Sequence, residues 1–196
     1  MTRTYRATNV VSAALLGVLA VTGWVSGVEA GQTAATRDAR IKAEFLQRTG
    51  DYVALHRKAS DTLPSLPREA GPAEIDKHQR ALGRAVEQLR PHAKQGDIFT
   101  KETRAYFRRL MIRAFRGSEG RLLRKSIMDE NPGPIRLRVN GRYPDTVPLS
   151  TMPPSVLAEL PALPAPLQYR FIGKRLILLD VDAHMIVDFI ENALPD

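Results

Sequence analysis

The chain contains no cysteine and only one tryptophan among its 196 residues. Without cysteine there is no disulfide, no thiol nucleophile and no thiolate ligand for a metal. Acidic side chains are missing before Glu29, and basic side chains are missing from Leu176 to the C-terminus. Apolar packing must therefore hold the folded protein together, and charge is distributed unevenly along the sequence.

Residues 1–30 have the pattern of a secretory signal peptide. Arg3 and Arg6 are followed by 22 residues without a charge, and the small side chains of Val28 and Ala30 match a signal peptidase site. The pattern predicts cleavage after Ala30, a periplasmic or secreted protein, and no membrane span after cleavage. The alternative is an N-terminal membrane anchor, because the charge-free run just reaches the about 20 residues that span a bilayer.

Residues 31–196 are predicted to form a single α+β domain, since their number suits one ordinary domain. Small and polar residues predict a flexible lead-in at 31–35, followed by a helical part over 36–130. Apolar residues recur there with the helical period of 3.6. The periodicity predicts four helices, over 36–63, from Pro72 to about Pro91, over 101–116 with Thr100 as N-cap, and a short one over 119–128.

The last part of the chain, residues 131–196, is rich in proline and in β-forming residues. After a short helix near Pro154, β-branched runs and turn signals predict a small antiparallel meander. The expected strands are 135–140, 167–172, 175–181 and 185–190. The last run has an alternative as a helix that continues to Leu194. The expected fold class is therefore α+β, with three or four helices followed by a small sheet.

Positive charge is concentrated in residues 101–125, which carry nine basic and two acidic side chains, whereas the rest of 31–196 is balanced. One interpretation is a face for an anionic envelope polymer or lipid, or for another envelope protein. Nucleic acid is not expected, because an exported protein rarely meets it. The other interpretation is that this helix packs near the acidic tail and is neutralised there. The candidate anion-binding residues are Arg104, Arg108, Arg109, Arg113, Arg116, Arg121, Arg124 and Lys125.

The sequence contains no nucleophile-elbow, P-loop, dinucleotide-binding or zinc-protease motif, so we expect no cofactor and no motif-based activity. Among the four histidines, His56 and His78 would each lie about 9 Å from the loop of a helical hairpin, so they could face each other. Zinc needs at least a third protein ligand, and none is evident. A hydrogen-bonded histidine pair without a metal is the expected arrangement.

Three aspartates near the C-terminus are the remaining candidates for chemistry. Asp180 and Asp182 are two residues apart and would share one face of a strand, and Asp188 lies on the neighbouring strand. They could bind a hard cation or act as an acid–base pair, but a polar outer face with a turn is the expectation. A non-enzymatic binding module is therefore the leading hypothesis. An envelope hydrolase or other enzyme that uses these aspartates and a histidine is the alternative.

The run from Leu167 to Asp180, together with Ile186-Val187-Asp188, resembles the C-terminal module of a periplasmic family linked to nickel and cobalt homeostasis. That module is a short meander after a Leu-Pro-rich lead-in, as in 160–164 here. The resemblance covers about 30 residues and implies a meander at the C-terminus and a periplasmic location. The histidine-rich composition of a metal-handling protein is not present, so no metal site is transferred. Residues 31–196 also resemble a family of uncharacterised exported bacterial proteins.

Overall fold

The structure is a computed structural model that describes residues 26–130, 135–148 and 152–195. The predicted cleavage motif at 28–30 lies within these residues, whereas residues 1–25 of the predicted signal peptide and residues 131–134 lie outside them. The chain divides into two compact units, Met1–Ala35 and Thr36–Asp196. All of the packing described below belongs to the second unit. In the described parts of the chain, no helix combines the length and apolarity needed to cross a membrane.

Helix α1 spans Ser26–Ser60 and is the longest element that the structure describes. It includes residues 31–35, so the prediction of a flexible lead-in there is wrong. The physical reason is that this stretch contains alanine and no proline, and a single glycine weakens a helix by only about 1 kcal/mol. Gly50 is likewise accommodated within α1.

Four further helices follow close to the predicted positions. Helix α2 spans Pro72–Leu89, with proline in its first turn. Helix α3 spans Lys101–Ala114, and the Thr100 hydroxyl accepts a hydrogen bond from the Thr103 N–H, which confirms the predicted N-cap. Helix α4 spans Gly117–Asp129, and the short α5 spans Pro154–Glu159.

The C-terminal sheet has three antiparallel strands in the order β1-β2-β3. Strand β1 spans Leu167–Ile172, β2 spans Arg175–Asp180, and β3 spans Met185–Ile190. The meander and the strand state of 185–190 are therefore confirmed, and with them the α+β class. A register shift between Leu178 and Leu179 interrupts the β2–β3 pairing.

Both faces of the sheet are covered, which places the core on two sides of it. One face packs against the helices, where the rings of Phe45 and Phe107 lie 4.9 Å apart and Leu178 and Val187 are fully buried. The other face packs against the segment 135–147 through residues such as Ile177. Because water is excluded from both faces, strands β2 and β3 are almost continuously buried.

The predicted strand over 135–140 is wrong. This segment lies across the sheet in an extended but irregular conformation, and only its end approaches β3. The N–H of Asn140 donates to the Ile186 carbonyl, and the N–H of Tyr143 donates to the His184 carbonyl. The alternation of apolar side chains at 135–140 reflects packing on the sheet face, which produces the same pattern as a paired strand.

Candidate functional site

The carboxylate of Asp180 ends strand β2 and lies at the centre of a buried hydrogen-bond network. One oxygen, Oδ2, accepts from the Tyr52 hydroxyl at 2.6 Å and contacts His56 Nδ1 at 2.6 Å. The other, Oδ1, accepts from the backbone N–H groups of Asp182 and Ala183 in the turn after β2. Because an ionised carboxylate only accepts hydrogen bonds, we assign the proton of His56 to Nδ1. Every lone-pair direction of Asp180 is thereby used for contacts within the fold.

The second nitrogen of His56 faces the surface. His56 Nε2 lies 3.7 Å from Oδ2 of Asp182, whose side chain is 61% exposed. The hydrogen bond to Asp180 raises the pKa of His56, against the opposing effect of burial. Burial, followed by the charge of Asp180, raises the pKa of Tyr52 well above its usual value. The two aspartates therefore both stabilise a positive charge on His56.

Arg90 completes the surroundings of this network. Its guanidinium lies over the Tyr52 ring, 5.2 Å from the ring centre, and burial lowers its pKa. Neither Tyr52 nor Arg90 stood out in the sequence, because a tyrosine on an apolar helical stripe and an arginine at a helix end are both common. Tyr52 contacts Asp180, 128 positions away, and Arg90 contacts Tyr52 on another helix, so a single sequence carries no local signal for either role.

Asp188 forms a second buried centre, separate from Asp180. Its oxygens accept hydrogen bonds from the backbone N–H groups of Gly96, Ile98 and Phe99 in the connection between α2 and α3, and from its own neighbour Phe189. Burial raises the pKa of Asp188, and these hydrogen bonds oppose that effect. The carboxylate thus organises the backbone that leads into α3.

The expectation of a polar outer face for the three aspartates is wrong for Asp180 and Asp188, because both are fully buried. The strands carry no outer face there, since helices cover one side and the segment 135–147 covers the other. Asp182 does lie at an exposed turn, as expected. The three carboxylates do not converge on one pocket, because Asp188 points to the α2–α3 connection, whereas Asp180 points to α1.

The histidine pair predicted from the helical hairpin is replaced by the contact between His56 and Asp180. His78 lies half-buried on α2. Within the described residues, no group of three or more potential ligands is arranged to hold a metal ion. His56 meets Asp180 and Asp182 through opposite ring nitrogens, which point away from each other and cannot share one metal.

The predicted basic residues lie on α3, α4 and the corner between them, a set that we call the α3–α4 basic surface. Six are exposed and two are half-buried. The surface consists of Arg104, Arg108, Arg109, Arg113, Arg116, Arg121, Arg124 and Lys125. Two large apolar side chains of the same helices are also exposed, Ile112 at 51% and Leu122 at 69%. These exposed apolar side chains lie on the same helices as the arginines, so the surface can form both apolar and ionic contacts with a partner.

Some of these basic residues form ion pairs within the fold. Where the structure describes the chain, the acidic partners are on α1 and α5, and not in the C-terminal tail as the second interpretation predicted. Arg109 forms an ion pair with Asp38 of α1, and Arg113 lies 3.3 Å from Glu159 of α5. Among the described residues of the tail, Arg108 and Arg124 use only backbone oxygens, those of Glu191 and Pro195. Asp180 and Asp188 accept their hydrogen bonds elsewhere and do not neutralise this surface.

Comparisons of the chain with protein-family models, with curated proteins and with solved structures find no match. The structure itself defines an α+β protein with two buried aspartates and an exposed basic surface.

Proposed function

We propose that the protein is an exported, non-enzymatic binding module of the bacterial cell envelope, and that the α3–α4 basic surface binds an anionic partner. The observation that carries this proposal is a separation of charge. Most of the basic side chains on that surface are exposed, whereas Asp180 and Asp188 are buried and satisfied by other groups. Positive potential therefore remains at the surface.

The apolar side chains favour an anionic lipid surface as the partner. Arg108 and Arg109 precede Ile112 by one helical turn, and Arg121 and Lys125 flank Leu122 on α4. A membrane surface offers phosphate groups to the arginines and acyl chains to the apolar side chains at the same time. A purely polar anionic polymer would leave Ile112 and Leu122 exposed to water.

A depression of about 330 Å³ beside α4 provides a concave part of the same surface. Arg121, Arg124 and Lys125 line it, together with apolar contributions from Met128 and Leu194. Its size is within the range of small-ligand sites, and its mixture of cationic and apolar walls suits a lipid phosphate headgroup.

The test is co-sedimentation of the purified protein with vesicles of anionic phospholipid and with vesicles of zwitterionic phospholipid. The informative variant carries Arg116→Gln, Arg121→Gln and Lys125→Gln, because no hydrogen bond or ion pair joins these three side chains to the described residues. A matched control carries Arg57→Gln, Lys58→Gln and Lys77→Gln, three exposed cations of α1 and α2. Both variants lower the net charge by the same amount.

We expect the wild type and the control to bind anionic vesicles. The variant with Arg116, Arg121 and Lys125 replaced should bind them at least tenfold more weakly. Binding should weaken as salt rises, because the Debye length falls from about 10 Å at 0.1 M to about 3 Å at 1 M. Equal loss in both variants would show that net charge alone is responsible. No preference for anionic vesicles at low salt would contradict the proposal.

An envelope hydrolase remains a second candidate because one contact favours it. Asp180 holds Nδ1 of His56, which leaves Nε2 to act as a base toward a substrate next to Asp182. A panel of ester substrates would be tested with the wild type and with His56→Gln. Turnover by the wild type that disappears in the variant would favour the hydrolase over the binding module.

A further inference from the structure

A second basic site lies on a different part of the molecule from the α3–α4 basic surface. Helix α2 and the residues that precede and begin β3 border an open cavity of about 200 Å³. Arg80 and Arg84 line it from α2, and Arg138 and Arg142 line it from the facing segment. Four guanidinium groups therefore border a cavity with room for about six water molecules or one small ligand.

Carboxylates hold three of these arginines in position and leave the fourth available. Asp76 accepts from Arg80 at 2.8 Å and from Arg142 at 2.7 Å. Glu87 lies 3.3 Å from Arg138. Arg84 is exposed, and no ion pair or hydrogen bond connects it to the described residues. The cavity thus has three arginines paired with carboxylates at its edges, with Glu87 in its lining, and one arginine, Arg84, without such a pair among the described residues.

Two polar atoms in the lining also lack partners. Nη1 of Arg142 and Oδ1 of Asn140 are buried, and neither makes a hydrogen bond within the described residues. Asn140 is held from its other side, because its Nδ2 donates to the Arg90 carbonyl. An unpaired buried polar atom destabilises the fold, so a small rotation toward an acceptor or donor in the cavity is favoured when a ligand supplies one.

The side of the cavity formed by α2 contains Gly83, where a side chain longer than that of alanine would extend into the cavity. A Cβ atom at Gly83 would lie 3.7 Å from the Ala183 carbonyl oxygen, which is an ordinary contact. Alanine therefore fits, but the remaining atoms of a longer side chain would project into the cavity. Glycine in the middle of a helix is less favourable than alanine, and at position 83 it leaves this side of the cavity without a side chain.

We propose that this cavity binds a small phosphate monoester that carries a free hydroxyl group. The guanidinium groups of Arg84, Arg138 and Arg142 offer more donors than the two oxygens of a carboxylate accept, whereas a phosphate has three terminal oxygens for them. The hydroxyl group donates to Oδ1 of Asn140. This site is independent of the lipid-binding surface proposed above, because none of its residues belongs to α3 or α4.

The test is isothermal titration calorimetry of the purified protein at low ionic strength with inorganic phosphate and with glycerol 1-phosphate. We expect both to bind, with a dissociation constant below about 1 mM for glycerol phosphate. Arg84→Gln should weaken binding at least tenfold, since Arg84 has no partner in the fold to lose. Gly83→Leu should abolish binding by filling the cavity. Arg57→Gln on α1 removes the same charge and is the matched control.

Tighter binding of glycerol phosphate than of inorganic phosphate supports the monoester, whereas equal affinities would overturn it and favour free phosphate as the ligand. Equal weakening by Arg84→Gln and Arg57→Gln would overturn the proposal, because it would assign the affinity to net charge. Absence of binding to either ligand would also overturn it. Circular dichroism of each variant separates loss of the site from loss of the fold, and Arg84→Gln keeps the test decisive if Gly83→Leu does not fold.

Discussion

His56 and Asp180 are 124 residues apart in the sequence and are joined by a buried contact of 2.6 Å between Nδ1 and Oδ2. The contact connects the helical part of the chain to the end of strand β2. Tyr52, one helical turn before His56, uses the same carboxylate oxygen. Helix α1 is therefore fixed against the sheet by two polar contacts in addition to its apolar side chains.

Replacement of Tyr52 by phenylalanine tests the first of these contacts. Tyr52→Phe removes a buried hydrogen bond to a charged acceptor, so we expect the free energy of unfolding to fall by about 1.5–3 kcal/mol. Urea denaturation measures the change. Tyr106→Phe is the matched control, because the Tyr106 side chain is only half-buried and its ring packs on the edge of Phe107. A loss no larger than that of the control would contradict a stabilising role for the hydroxyl.

The pH dependence of stability tests the second contact. The hydrogen bond to Asp180 raises the pKa of His56 in the folded state, so the folded protein holds this proton more tightly than the unfolded chain does. The resulting stabilisation is fully present below the unfolded pKa of about 6.5 and is lost as pH rises through the folded pKa. The difference in unfolding free energy between the wild type and His56→Gln should therefore shrink as pH rises from about 6 to 8.

Urea titrations of both proteins across this range give that difference, and the comparison removes the contributions of other groups such as His184. A difference that grows with pH would show that His56 is neutral in the folded protein. An additional Asp182→Asn variant should reduce the slope slightly, because the exposed carboxylate is a smaller influence on His56 than Asp180 is.

Asp188→Asn tests the second buried carboxylate. The amide of asparagine has nearly the same shape as the carboxylate. Its NH₂ group, however, would face backbone N–H donors, which then lose a carboxylate oxygen as their acceptor. We expect a loss of about 3 kcal/mol and faster hydrogen exchange at the N–H groups of Ile98 and Phe99. Asp97→Asn, at a half-buried position in the same connection, serves as the control. Unchanged exchange at both amides would show that Asp188 does not organise this backbone.

Two helical glycines should respond to alanine in opposite directions. A Cβ at Gly120 would lie 2.2 Å from the backbone of Phe115, so Gly120→Ala forces α4 away from the end of α3 and destabilises the protein. At Gly50 a Cβ meets nothing within 4 Å, so Gly50→Ala should stabilise by about 0.5–1 kcal/mol through helix propensity alone. Thermal denaturation of the two variants measures both effects. Shifts of the same sign would contradict the different packing of the two positions.

The elements of this fold could be predicted from the sequence because each has a local signal. Proline at the start of α2, Thr100 before α3 and the Gly173-Lys174 turn between β1 and β2 mark boundaries that the structure confirms. The segment 135–140 was predicted as a strand because period-two alternation also arises when an irregular segment packs on a sheet. Pairing depends on the neighbouring chain, which the local sequence does not show.

The surroundings of the aspartates could not be predicted for a related reason. Asp180 and Asp188 were recognised as candidates, but their burial depends on which elements cover the two faces of the sheet. Their partners in α1 and in the α2–α3 connection are 89 to 128 residues away. The cavity beside α2 was missed entirely, because Arg84, Arg138 and Arg142 are dispersed in the sequence and carry no spacing signal.

The two buried aspartates also affect the order in which parts of the protein can fold. Tyr52, His56 and the backbone at 96–99 find their acceptors only in residues 180 and 188, close to the C-terminus. Native contacts between such distant residues require closure of a long loop, which is slow compared with helix formation. The helices therefore reach their native packing only together with strands β2 and β3.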